Sequence, residues 1–182
     1  GDKLFIYAFE TAAKAFALTD RADLVGKAIS ILANKAGIYG MIGGQSVDVE
    51  YTDRPVTKSQ LEFIYELKTA ALLEAAMMIG AVLAGADDNQ VKAAEQIAHH
   101  VGMAFQIRDD ILDVISTTEE LGKPVKSDEK NNKTTYVTIY GLDGASKLVE
   151  EYSHTAMTLL DQVCPNASFL KRLFEYLIVR KK

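Results

Sequence analysis

Apolar residues return every three or four positions along this chain, and nowhere do they alternate with polar ones between hairpin turns. Leu4, Ile6, Tyr7, Phe9, Ala13 and Phe16 set the pattern at the start. A 3.6-residue period builds one apolar helical stripe, which another helix must cover. The expectation is therefore an all-α chain without strands or internal repeats.

Punctuating residues divide the pattern. Thr19-Asp20 is placed to cap a second helix that reaches about Lys35. Gly37, Gly40, Gly43 and Gly44 make a bend where helices can break or approach closely. Residues 53–55 read as a loop, and Thr57 with Gln60 has capping-box spacing at the head of a helix to about Leu83. Asp87 or Asp88 caps the next helix, which runs to about Ser116. After a polar loop over 117–132 come a short helix near 134–140, a helix from about Asp143 to Val163, and a last one after Pro165-Asn166. At 182 residues and 48% apolar content the chain suits one core, a single domain over 1–182. The most apolar stretch, 70–86, is interrupted by Glu74 and is shorter than the roughly 20 residues that span a bilayer. It is expected to be a buried core helix, with no membrane span, and Met77 and Met78 as core fillers.

Charge and cysteine content narrow the function. The net charge is −5 and the only basic run is Arg180-Lys181-Lys182, so a nucleic-acid partner has little electrostatic support. Acidic substrates would have to be met locally. Cys164 stands alone, which excludes an internal disulfide and fits a reducing, cytoplasmic compartment.

The local means of meeting an acidic substrate lie between 105 and 136. Asp109 and Asp113 are one helical turn apart on a common face, about 6 Å along the axis, with Asp110 at their flank. Phe105, Ile107, Ile111 and Leu112 surround them, and unpaired carboxylates on a half-buried helix are expensive. No basic residue lies three or four positions away, so an external cation is the better neutraliser. Oxygen donors without nearby histidine or cysteine favour Mg²⁺, which keeps several waters and bridges to substrate phosphate. A solvated acidic stripe is the competing reading. Lys123, after Gly122, and Lys133, opening the next segment, weigh against it, because ammonium groups suit diphosphate oxygens. His99 and His100 lack ligand spacing and read as surface or core-edge residues, while Phe105 and Tyr136 read as packing.

Taken together, FQIRDDILD (105–113), Gly122-Lys123 and KTTY (133–136) followed by GLD (141–143) resemble the second aspartate-rich region of trans-isoprenyl diphosphate synthases, in particular the short-chain bacterial farnesyl and geranylgeranyl type. Gly43-Gly44-Gln45-Ser46-Val47-Asp48 is similar to that family's GGQxxD, Lys68-Thr69 to its KT pair, and Gly1-Asp2 to the GD before its midpoint helix. Five motifs in order along nearly the whole chain carry the resemblance.

The resemblance implies an isoprenoid synthase helical bundle, here lacking the amino-terminal helices, the first DDxxD and the isopentenyl diphosphate grip. The 182 residues are expected to be the carboxy-terminal part of a longer enzyme, inactive by themselves. The implied enzyme condenses isopentenyl diphosphate with an allylic diphosphate, dimethylallyl or geranyl, to give farnesyl or geranylgeranyl diphosphate, with Mg²⁺ as cofactor and a homodimer as the full-length assembly. By the same resemblance Asp109 and Asp113 bind metal and Asp110 contacts metal-bound water. Lys68, Lys123 and Lys133 clamp diphosphate, and Thr69 and Gln106 support them. Gln45 and Asp48 line the cleft, although a structural hydrogen-bonding role stays open for both. A non-catalytic module of the same fold and a class I terpene cyclase are the alternatives.

Overall fold

The computed structural model describes residues 2–115 and 133–180, and these form helices joined by short connections, with no strand among them. Helix α1 (Asp2–Ala13) ends in a 3₁₀ turn, Lys14–Ala17, and α2 spans Ala22–Ala36. Helix α3 is Met41–Glu50. Then α4 (Lys58–Tyr65), a π-helical turn (Glu66–Ala70) and α5 (Ala71–Leu83) run on without a break. Helix α6 is Asp88–Ile115, α7 is Tyr136–Val163 and α8 is Ser168–Val179. Among the described residues no helix is long and apolar enough to cross a membrane.

The central element is α6. It packs along α5 and α7, while α2 lies against α5. Ile97, Ala98, Val101, Gly102, Met103 and Ala104 are all buried, so this middle stretch is covered almost all round, as its small and apolar residues require. Leu61, Ile107, Ile111, Tyr136 and Val149 form one core cluster between α4, α6 and α7. Ile97, Leu160 and Phe174 form a second, closed by α8.

Local chemistry sets most boundaries. Thr57 and Gln60 form the expected capping box, and Thr135 with Thr138 makes another at the head of α7. Asp87 accepts from the Gln90 N–H at 2.9 Å while Gln90 Oε1 accepts from the Asp87 N–H at 3.0 Å, so Asp87 rather than Asp88 is the cap of α6. Helix α7 joins two helical stretches at Gly141, whose φ of 71° a side chain would disfavour.

Three expectations change. Thr19-Asp20 does not cap α2: Thr19 Oγ1 accepts from the Arg21 N–H, and Arg21 occupies the cap position with its guanidinium on Asp23. The glycine-rich break is confined to 37–40, and Gly43 and Gly44 lie inside α3. Helix α5 buries only one side, through Ala71, Ala75 and Val82, because α2 and α6 cover it there while Leu72 and Leu83 are exposed. The charge that interrupts it, Glu74, is on the buried side.

Candidate active site

Two glycines bring the site together. A Cβ at Gly102 would stand 2.6 Å from Ala70 Cβ, and one at Gly44 would stand 2.4 Å from the Lys68 backbone nitrogen. Only hydrogen at these positions lets α6 and α3 press against the π-helical turn. One turn beyond each glycine lies a polar residue on the same face. Gln106, four after Gly102, accepts from the Thr69 hydroxyl at 2.8 Å. Asp48, four after Gly44, accepts from Lys68 Nζ at 2.5 Å. The wider π turn thus directs two consecutive side chains, Lys68 and Thr69, at two different helices, a local irregularity often found where function resides.

Lys133 joins the first of these contacts. Its Nζ lies 3.4 Å from Asp48 Oδ1, while Lys68 uses Oδ2, so one carboxylate holds two ammonium groups. Asp48 and Lys133 both line a cleft of about 340 Å³ whose other walls include Tyr51, Asp53, Arg54 and Thr134. Burial alone would raise the Asp48 carboxyl, but the Lys68 hydrogen bond and the charges of Lys133 and Lys68 outweigh it and hold the group below the ordinary aspartate value. Thr134 Oγ1 accepts from the Val56 N–H at 3.2 Å and ties the Lys133 segment to the loop before α4.

The three aspartates of the 109–113 motif on α6 sit in three different environments. Asp110 is 4% exposed and accepts from the Tyr65 hydroxyl at 2.7 and 2.8 Å and from the Tyr136 N–H at 3.0 Å. These contacts join α4, α6 and α7, a structural use that its position beside Asp109 does not reveal. Asp113 is 3% exposed. Asp109 is the open one, its side chain 34% exposed, and it accepts from Arg180 Nη2 at 2.8 Å. Arg180 also lies over the Phe105 ring, 3.9 Å from its centroid, and its carbonyl accepts from the Arg108 guanidinium. A basic partner for the motif therefore exists, brought by the fold from 71 positions downstream.

Thr69 meets Gln106 and Lys68 meets Asp48, and Asp48 and Lys133 share the cleft. Gln45, three residues before Asp48, lines a separate shallow depression with Met41, Ile42 and Val49. Lys123 and Gly122, with the rest of 116–132, lie outside the described residues. Tyr65 and Gly102 were not singled out in the sequence. Their signal is the i,i+4 spacing of Tyr65 to Thr69 and of Gly102 to Gln106, which sets two antiparallel helices side by side with Tyr65 opposite Asp110 and Thr69 opposite Gln106.

The donors suit a hard cation. Asp109 supplies carboxylate oxygen at a half-open position, and no histidine or cysteine competes there. A carboxylate so placed can serve a hard divalent cation whose shell is completed by waters and substrate phosphate.

The sequence model of the family described as Polyprenyl synthetase matches residues 1–167. The farnesyl diphosphate synthase of Geobacillus stearothermophilus is 36% identical over 180 residues, covering 99% of this chain and 61% of its own. The geranylgeranyl diphosphate synthase of Cyanophora paradoxa is 41% identical over 151 residues, 82% of this chain and 50% of its own. A solved geranyltransferase from Helicobacter pylori, complexed with magnesium and isoprenyl diphosphate, superposes with a TM-score of 0.81 at 31% identity over 97% of this chain and 57% of that one. The chain thus spans between 50% and 61% of the length of these relatives.

Proposed function

This chain belongs to the polyprenyl synthetase family, and on that premise we propose that it forms the diphosphate-holding wall of a prenyltransferase that joins isopentenyl diphosphate to an allylic diphosphate, dimethylallyl or geranyl, yielding farnesyl or geranylgeranyl diphosphate. The observation that carries the reading is the convergence on one π-helical turn of Lys68 beside Lys133 and of Thr69 on Gln106, with the open carboxylate Asp109 one turn further along α6. Relatives named farnesyl and geranylgeranyl diphosphate synthase support it.

Ionising an allylic diphosphate separates charge, and the group that leaves carries the negative share. Lys133 lines the cleft and Lys68 shares its Asp48 carboxylate, so two neighbouring ammonium donors take up that charge as it develops. Lys123 is assigned to the same clamp. Gln106, oriented by the Thr69 hydroxyl, lies about one turn before Asp109 on α6. Asp109, with Asp113 behind it, would hold Mg²⁺, which when bound adds Lewis-acid stabilisation of the diphosphate oxygens. Asp110 keeps the helix carrying them in register. The proton lost at condensation goes to the departing pyrophosphate.

The test is prenyl transfer by the product of the gene that encodes this chain, assayed with labelled isopentenyl diphosphate and geranyl diphosphate in Mg²⁺. Product formation that Lys68→Ala and Asp109→Ala reduce by orders of magnitude is the expected result. Absence of product from the wild type would leave a non-catalytic module of the same fold.

A further inference from the structure

We propose that Asp48 is an internal counter-anion for the diphosphate clamp: its carboxylate holds Lys68 and Lys133 while no diphosphate is bound, and a diphosphate takes the two ammonium groups from it. The inference rests on the reading of those lysines as diphosphate ligands.

The geometry assigns one oxygen to each cation, Oδ2 to Lys68 at 2.5 Å and Oδ1 to Lys133 at 3.4 Å. The order of exposure matters more than the distances. Asp48 is 15% exposed in its side chain, Lys68 35% and Lys133 41%, so the two cations are the more exposed members of the cluster. A ligand arriving from solvent meets the more exposed ammonium groups before the carboxylate. Without an anion between them the two lysines would repel one another and their long side chains would sample many rotamers. With Asp48 between them they are gathered and partly ordered before any ligand arrives, which lowers the ordering that binding requires. Asp48 is held in place by α3, because Gly44, one turn earlier on that helix, is pressed against the Lys68 backbone. Exchange of a carboxylate for a diphosphate therefore moves the lysine tips and leaves α3 in place. Asp53, which also lines the cleft, has no ion pair with either lysine among the described residues.

A counter-anion competes with the ligand, whereas a residue that binds the ligand assists it. The two roles predict opposite signs. Titrating the full chain with inorganic pyrophosphate in a metal chelator, followed by phosphorus NMR, reads the clamp without the metal. Asp48→Asn is expected to tighten pyrophosphate binding about two- to fivefold, the worth of a partly exposed ion pair. Asp48→Glu, which keeps the charge, stays near the wild type. Weaker or unchanged binding by Asp48→Asn overturns the proposal while leaving the clamp intact, provided Lys68→Met weakens binding. If Lys68→Met binds as the wild type does, or no variant binds at all, the clamp reading fails and the proposal with it. Should Asp48→Asn not fold, the carbon-13 titration of the Asp48 carboxyl in the wild type reads the same exchange. Its midpoint should climb to the ordinary aspartate range when pyrophosphate is added, and a midpoint that stays low overturns the proposal.

Discussion

Arg180 donates to Asp109 at 2.8 Å and lies over the Phe105 ring, so the end of the described chain covers the most open carboxylate of the aspartate motif. The guanidinium and a metal ion would compete for the same oxygen. Removing the arginine should therefore favour the metal: Arg180→Ala is expected to bind Mn²⁺, used as a paramagnetic stand-in, about two- to fivefold more tightly by electron paramagnetic resonance titration. Unchanged affinity would show that the pair does not screen the site.

Tyr65 and Asp110 form a buried contact with a different consequence. Tyr65→Phe removes one donor from a carboxylate that is 4% exposed, which should cost about 1–3 kcal/mol in urea unfolding. Asp110→Ala should lower stability as well, whereas Asp109→Ala should leave the helical circular dichroism and the unfolding midpoint near the wild type while abolishing turnover. Equal stability for the two alanine variants would erase the distinction drawn between neighbouring aspartates.

Gly44 and Gly102 are predicted to be intolerant. A methyl group at either meets backbone or Cβ atoms at 2.4–2.6 Å, and the resulting separation of helices should cost about 1–3 kcal/mol. Gly26, on α2 with nothing within 4 Å of where a Cβ would stand, provides the contrast. Gly26→Ala should stabilise by up to about 1 kcal/mol through helix propensity alone. Thermal melts of the three variants decide it, and similar shifts in all three would remove the close-approach argument.

A charge network joins α2, α5 and α6 on the far side of the π turn. Glu74 accepts from Lys35 and contacts His99 Nδ1 at 3.1 Å, and Lys35 also reaches Glu95 at 2.6 Å. The Glu74 contact raises His99 above its ordinary value of 6.5 although burial opposes it, while burial and the His99 charge lower His100. A raised folded pKa means that the His99 contribution is complete below the ordinary histidine value and is lost as pH climbs through the folded one. His99→Gln should therefore destabilise the protein more at pH 6 than at pH 8 in denaturant titrations. His100, with a lowered pKa, works in the opposite direction, so the measurement is the difference between wild type and variant at each pH. A penalty that is the same at both values would mean that His99 acts by packing.

Much of the helical outline was legible because its determinants are local. Thr57 and Gln60, or Asp87 and Gln90, satisfy orphan backbone groups within one turn, and such spacing is visible in any sequence. Thr19-Asp20 misled because the adjacent Arg21–Asp23 pair offered the chain another way to end the turn. The site was legible in its residue types, from the KT pair to the carboxylates of α6, and not in their partners.

The sequence by itself determined that this chain is all-α, that α6 carries carboxylates one turn apart, and to which family it belongs, since periodicity, caps and motif order are properties of neighbours along the chain. Only the tertiary structure decided which aspartate is open and which is bound, that Asp48 holds two lysines, and that Arg180 neutralises a charge 71 residues before it. Those outcomes depend on how closely helices approach across Gly44 and Gly102, and a distance between helices is set by packing rather than by spacing along the chain.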